Sequence, residues 1–160
     1  MQRKLLKQLL VSYKENSLMM EEEQKDLDQM LSLLENNPRC FSRDSLEAHF
    51  TGSCWIVDLS KKYCLLTHHR KLGVWLQLGG HADGDPDLFN VAKKEGFEES
   101  GIQGIKPLSS EIFDIDIHEI PERKQVPKHF HYDIRFLFEV DKDIPFIVSE
   151  ESLDLAWVPI

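Results

Sequence analysis

The chain lacks any long apolar run: its first hydrophobic stretch, residues 5–11, is broken by Lys7 and Gln8, far short of the ~20 apolar residues that a membrane-spanning helix needs. A soluble protein with no membrane partner is expected. Cysteine is scarce too. Cys40, Cys54 and Cys64 lie in no metal-ligand spacing and follow no signal-peptide pattern, which predicts free thiols in a reducing, cytoplasmic setting. Cys54 and Cys64 fall in apolar, strand-like runs, where a small buried hydrophobe is the expected role rather than a nucleophile. Basic charge is also short. Nineteen Lys and Arg face 28 Asp and Glu, a net charge of -9, and this excludes a broad basic nucleic-acid surface. An anionic ligand would need a local cation, and a divalent ion held by carboxylates reconciles an acidic protein with a phosphate-bearing partner. Repeats and low-complexity tracts are absent.

What is present is enough for one sizeable core. At 160 residues and 41% hydrophobic, one domain with an appendage is expected. Residues 1 to about 36 read as two helices. Leu5, Leu6, Leu9, Leu10 and Tyr13 share one stripe, Leu27, Met30, Leu31 and Leu34 another, and both are packing faces for the main domain. Glu21, Glu22 and Glu23 suit the N-terminus of the second helix, where the dipole favours negative charge, and Asn36, Asn37 and Pro38 end it. From Phe50 the pattern shortens to period two. Residues 52–59 and 63–67 predict a hairpin, and 74–78 a third strand leading into Gly79 and Gly80. Residues 112–118 and 130–140 alternate as later strands. Strands before and after one central helix predict a mixed sheet covered by helices.

The central helix is expected over residues 86–100, with Asp85 as N-cap, Pro86 at the first helical position and Gly101 just past the end. Leu88, Val91 and Ala92 define its apolar face, and Glu95, Glu98 and Glu99 continue down the same side. Buried carboxylates this close raise one another's pKa and cost several kcal/mol if left unpaired, so a compensating cation is expected. Spacing of i, i+3 and i+4 brings three oxygen donors to one hard ion, Mg²⁺ or Mn²⁺. The bland reading is a solvated acidic helix end paired with Lys93 and Lys94.

The segment GGHADGDPDLFNVAKKEGFEESGI, residues 79–102, resembles the Nudix box, G-x5-E-x7-R-E-U-x-E-E-x-G-U with U aliphatic. Gly80, Glu95, Glu98, Glu99, Gly101 and Ile102 match it in register. The preceding LLTHHRKLGVWLQLGGHADGD is similar to a bacterial Nudix subgroup of undefined substrate. The resemblance covers about residues 50–160. It implies an α+β fold, an α/β/α sandwich with a mixed β-sheet flanked by helices. A Nudix domain over 49–160 would carry an N-terminal helical extension over 1–48. It also implies metal ligation by Glu95, Glu98, Glu99 and the backbone carbonyl of Gly80, and pyrophosphatase-type hydrolysis of a diphosphate linkage in a nucleoside diphosphate joined to another moiety. Catalysis would fall to the same three glutamates, with Glu95 or Glu98 as base, or a loop acid, Glu150 or Glu151. The strand DLAWVPI usually precedes a final helix, so a helix beyond Ile160 is expected.

Three positions depart from the motif. Pro86 stands where an early Glu falls, with Asp83 or Asp85 as substitutes. Lys94 replaces an Arg whose planar fork orients a carboxylate. Gly96 replaces an aliphatic residue, at a cost of roughly 1 kcal/mol in helix propensity relative to Ala, and leaves room against the helix. Outside the motif, Phe130, Tyr132, Ile134, Phe136 and Phe138 form the apolar face of a strand, with His129, His131, Asp133 and Arg135 opposite. That polar side is either solvated or recognises substrate. His129 and His131 share a face, yet two histidines without a third ligand make a poor zinc site. His81, His129, His131, Arg135 and Arg70 are the candidate substrate-binding residues, and His68 and His69 also follow a strand end. Asp114, Asp116 and His118 are assigned no chemistry. Trp55, Trp75 and Trp157 are expected as core anchors rather than base platforms. The alternative functions are a non-catalytic Nudix-fold sensor of a phosphorylated metabolite and an interaction module using the N-terminal helices. A homodimer is a possible way to bury those helices.

Overall fold

The computed structural model describes residues 2–123 and 126–160. Two helices open the chain, α1 over Gln2–Asn16 and α2 over Glu21–Asn36. Their buried residues are Leu6, Leu10 and Tyr13 on α1 and Leu27, Met30 and Leu34 on α2. Leu5 is 45% exposed and Leu9 only partly buried against the core, so the packing stripe of α1 is narrower than the expected one. Burying each such side chain contributes about 1.5–3 kcal/mol, and the same core cluster joins Phe41, Phe50, Ile115 and Ile134 of the main body. Tyr13 Oη donates to the Glu23 carboxylate, tying the two helices together. Glu21, Glu22 and Glu23 occupy the first turn of α2, and Met20 at its N-cap makes no side-chain cap bond.

Eight strands form one curled mixed sheet: β1 Ala48–Asp58, β2 Tyr63–His69, β3 Trp75–Leu76, β4 Leu78–His81, β5 Lys106–Pro107, β6 Asp114–Ile120, β7 His129–Val140 and β8 Ser152–Pro159. β1 and β7 run parallel over their full shared length, from Ala48 opposite Phe130 to Asp58 opposite Val140. The other edge of β1 is divided, Thr51 to Cys54 pairing β4 and Ile56 and Val57 pairing β2, both antiparallel. β7 in turn carries β6 and β5, and β2 carries β8. The hairpin of β1 and β2 lies where period-two patterning put it. Asp58 closes its turn by accepting from the backbone N–H groups of Ser60, Lys62 and Tyr63.

The remaining helix, α3, spans Leu88–Ser100 and begins two residues later than its sequence suggests. The reason is local. Asp85 Oδ1 accepts from Asp87 N at 2.9 Å, so Pro86 sits inside an Asx turn, and Asp87 becomes the N-cap, accepting from Asn90 N at 3.1 Å. Gly101 ends the helix in the left-handed conformation, φ 66°. Leu88, Val91 and Ala92 are buried against the sheet, and Phe89 stacks on Phe138 and meets Phe136 edge-on.

Two glycines let α3 lie close on β1. A Cβ on Gly52 would come 2.8 Å from the Leu88 carbonyl oxygen, and one on Gly96 would come 2.8 Å from Cys54 Sγ. The room left by Gly96 is therefore filled by Cys54, with Ile56 beyond it. Gly52→Ala is expected to destabilise by about 2–3 kcal/mol, because its obstacle is helix backbone that cannot rotate away. Gly96→Ala should cost less, as the overpacking is partly offset by the ~1 kcal/mol gain in helix propensity. Combining it with Cys54→Ala should restore stability to at least the wild-type level, which urea melts of the single and double variants will check.

Candidate functional site

The short strand β4 and the helix α3 meet where the glycine pair faces the glutamates. Glu99 is 5% exposed, and its Oε2 accepts from Gly79 N at 2.8 Å. Glu95 lies one turn earlier with its carboxylate against Gly80, where an added Cβ would fall 2.5 Å from Glu95 Oε2. Only glycine permits that approach. Glu98 projects further out, half exposed, with Lys94 3.7 Å away. Glu95 and Glu99 thus converge on the backbone of residues 79–80, and Glu98 stands at the rim. Among the described residues, no Lys, Arg or His nitrogen lies within 4 Å of the Glu95 or Glu99 carboxylates. Burial pushes the Glu99 carboxyl up to about 7 despite the Gly79 hydrogen bond, with the charges of Glu95 and Glu151 adding to the effect. Glu95 is raised by burial and then by Glu98, against Lys94. Glu151, from the segment before β8, is close enough to act on both.

The loop from His81 to the helix is pinned from outside. Arg43, ahead of β1, grips Asp83 with two parallel bonds of 2.6 Å, and Gly84 N donates to the Phe41 carbonyl. Asp83 adopts φ 49°, a left-handed conformation for a non-glycine residue, which these contacts hold in place. Neither acid named as a substitute at the Pro86 departure faces the glutamates as a free group. Asp83 is held by Arg43, and Asp85 by its Asx turn.

The polar side of β7 is largely buried, not solvated. Asp133, 1% exposed, accepts from Thr51 Oγ1 at 2.8 Å, Ser53 Oγ at 2.7 Å, Gln77 Nε2 at 3.1 Å and Arg135 Nε at 3.1 Å. Four donors satisfy a carboxylate that would otherwise be costly to bury. Arg135 also reaches Asp114 at 2.7 Å and Asp116 at 3.0 Å, which gives those two aspartates a structural role the sequence did not disclose. Phe130, expected on the apolar face, is 38% exposed, whereas Ile134, Phe136 and Phe138 are fully buried.

The candidate substrate residues separate into two kinds. The guanidinium of Arg135 is committed to three carboxylates. That of Arg70 donates to the carbonyls of Glu150 and Ser152, both at 2.9 Å, fastening the β2–β3 turn to the start of β8. His81, His129 and His131 instead gather around His49, a residue that sequence reasoning passed over. His81 is 4.9 Å from His131 and 5.2 Å from His49, ring centre to ring centre. Burial and the neighbouring Arg43 and His49 push His81 down to about 4, and burial with the surrounding histidines pushes His131 down to about 2. Both are neutral imidazoles at pH 7. The tryptophans divide: Trp75 is 44% exposed and stacks on His68 with ring centres 5.0 Å apart, Trp55 is half-buried, and Trp157 packs against the core with its indole nitrogen buried.

No family model matches the chain, and no curated protein matches it by sequence. Solved structures do. The dihydroneopterin triphosphate pyrophosphohydrolase of E. coli is similar at a TM-score of 0.52 and 14% identity, over 69% of this chain and 80% of that one. A bifunctional NMN adenylyltransferase/ADP ribose pyrophosphatase from Francisella tularensis, complexed with AMP and a manganese ion, aligns at a TM-score of 0.50 and 15% identity, over 87% of this chain and 40% of that one. A Nudix hydrolase from M. smegmatis aligns at 0.48 and 14% identity, over 69% of this chain and 70% of that one. With a curled mixed sheet, three helices among the described residues and a glycine-led loop feeding the glutamate helix, the chain has the Nudix fold, in its α+β form.

Proposed function

We propose that this chain is a Mg²⁺- or Mn²⁺-dependent hydrolase that cleaves a diphosphate linkage in a nucleoside diphosphate joined to another moiety. Its site would lie in a domain over residues 49–160, with residues 1–48 as a helical extension. The observation that carries this reading is the pair of carboxylates, Glu95 and Glu99, brought without a cationic partner against the backbone of Gly79 and Gly80. A buried acid raised towards neutrality and a carboxylate packed on a bare glycine form an oxygen donor set, which suits a hard divalent ion and not a soft one.

In this reading Glu95, Glu99 and the Gly80 carbonyl hold the ion, and Glu98 at the rim completes the set. When bound, such an ion neutralises diphosphate oxygens and lowers the pKa of a coordinated water. The chain's own residues do the rest. The Gly79 N–H holds Glu99 in one orientation. Glu95 or Glu98 accepts the proton of the attacking water, with Glu151 as the acid nearest at hand from another loop. His81, which follows Gly80 directly, is the substrate-facing residue best placed to donate a hydrogen bond to a phosphate oxygen, since a neutral imidazole keeps one N–H. The moiety that leaves is selected by loops grafted on the fold.

Two outcomes are expected. With Mg²⁺ and a panel of nucleotide sugars, dinucleoside polyphosphates, ADP-ribose and nucleoside triphosphates, wild type should release monophosphate, phosphate or pyrophosphate from at least one. Glu99→Gln should be slower by at least about 10²-fold. Ligand binding without turnover by wild type would instead favour a sensor. The second outcome concerns stability. The Glu99 carboxyl is raised from 4.5 to about 7 by folding, so the folded state holds its proton longer than the unfolded state. Metal-free protein should therefore lose stability as pH rises from about 4.5 to about 7, with no further loss from this group above that window. At about pH 8 without metal, Glu99→Gln should be more stable than wild type by on the order of 1–3 kcal/mol. Added Mg²⁺ should raise the wild-type Tm more than that of the variant, as scanning calorimetry will show.

A further inference from the structure

His49, His129 and His131 come together from strands that are remote in sequence. β1 and β7 run parallel with His49 directly opposite His131, and His129 lies two residues earlier on the same face. One nitrogen from each ring lies within 4.8 Å of the others. His129 Nε2 and His131 Nε2 are 3.3 Å apart. Two nitrogens bound at about 2.05 Å to one tetrahedral ion also lie about 3.3 Å apart.

The other ring nitrogens explain which atoms face inward. His49 Nδ1 is 3.1 Å from the Ser45 carbonyl, and His129 Nδ1 is 2.9 Å from the Pro127 carbonyl. A carbonyl only accepts, so each Nδ1 carries its hydrogen there, and the neutral ring presents an Nε2 lone pair to the cluster. This is the outer support that metal-bound histidines usually have. His49 is 2% exposed, and its Nε2 is buried with no hydrogen-bond partner. A buried nitrogen left unmade is rare and needs an explanation. An ion supplies one for His49, and at the same point it meets the paired Nε2 atoms of His129 and His131.

We propose that His49, His129 and His131 form a second metal site, distinct from the acidic cluster, that takes a borderline transition ion such as Zn²⁺. Three imidazoles suit Zn²⁺ and not Mg²⁺. Three histidines leave a fourth position open to water, and His81 and His118 border the cluster, with ring centres 4.9 and 5.4 Å from that of His131. The site does not depend on the proposed hydrolysis.

Chelator-stripped full-length protein, dialysed against Zn²⁺, is the test, with Co²⁺ absorption as a readout of coordination. Glu95→Gln/Glu99→Gln protein, disabled in the acidic cluster, should still bind one Zn²⁺ per chain, and excess Mg²⁺ should not displace it. His131→Gln and His129→Gln should each weaken Zn²⁺ binding by more than about 100-fold. Circular dichroism of the metal-free variants will confirm that they fold, and Zn²⁺ should raise the Tm of wild type but not theirs. Zn²⁺ affinity unchanged in both histidine variants, or lost in the double glutamate variant alone, overturns the proposal whatever the hydrolase assay reports.

Discussion

The contact between α3 and β1 is the constraint on which the acidic site depends. Because Gly52 and Gly96 carry no side chains, the helix lies directly on the strand, with Cys54 tucked beneath Gly96. β4 is hydrogen-bonded to the same stretch of β1, Thr51 to Cys54. The distance from helix to strand therefore sets the distance from the glutamates to the glycine pair. A side chain at either position would lift α3 and draw Glu99 away from Gly79 N–H. Packed interiors resist such shifts, and this resistance keeps an acid buried that would be more stable in water.

The opposite face of the sheet is organised by Asp133. Its carboxylate collects donors from β1 and β7 and from Gln77 between β3 and β4, and Arg135 extends the network to β6. A fully satisfied polar network in a low-dielectric setting rigidifies what it touches. On the same face, one pleat along, stand the histidines, so their rings are held by strands whose register is already secured. The two faces share a boundary at residues 79–81, where Gly79 and Gly80 meet the glutamates and His81 meets the imidazoles.

Much of this was legible locally. Helix stripes, the β1–β2 turn, the glycine stop at Gly101 and the E-x-x-E-E spacing depend on neighbours within a few residues, and the chain adopts them, apart from Leu5 at the exposed edge of the α1 stripe. The misplaced start of α3 shows the limit even there. Asp85 and Asp87 flank Pro86, and the Asx bond from Asp87 N to Asp85 selects Asp87 as the cap. Strand 129–140 shows the limit more sharply. Alternation identified two faces correctly from Ile134 onward, but alternation alone does not say whether a polar face meets water or other polar groups. Trp75 departs from its expected burial for a related reason: size favours burial, while a two-residue strand at the sheet edge leaves it exposed.

By itself, the sequence determined the elements, the helix that carries three acids and the glycine pair that precedes it, because each follows from backbone propensity and short-range spacing. Only the tertiary structure decided which acids turn inward, what fills the space at Gly96 and what stands opposite His131. Thr51 and Asp133 are 82 residues apart in the chain and 2.8 Å apart in space, and His49 meets His131 through the same parallel register. No local pattern encodes that meeting: a parallel pair has no connecting turn to set its register, which follows instead from the burial of the apolar faces of both strands beneath α3.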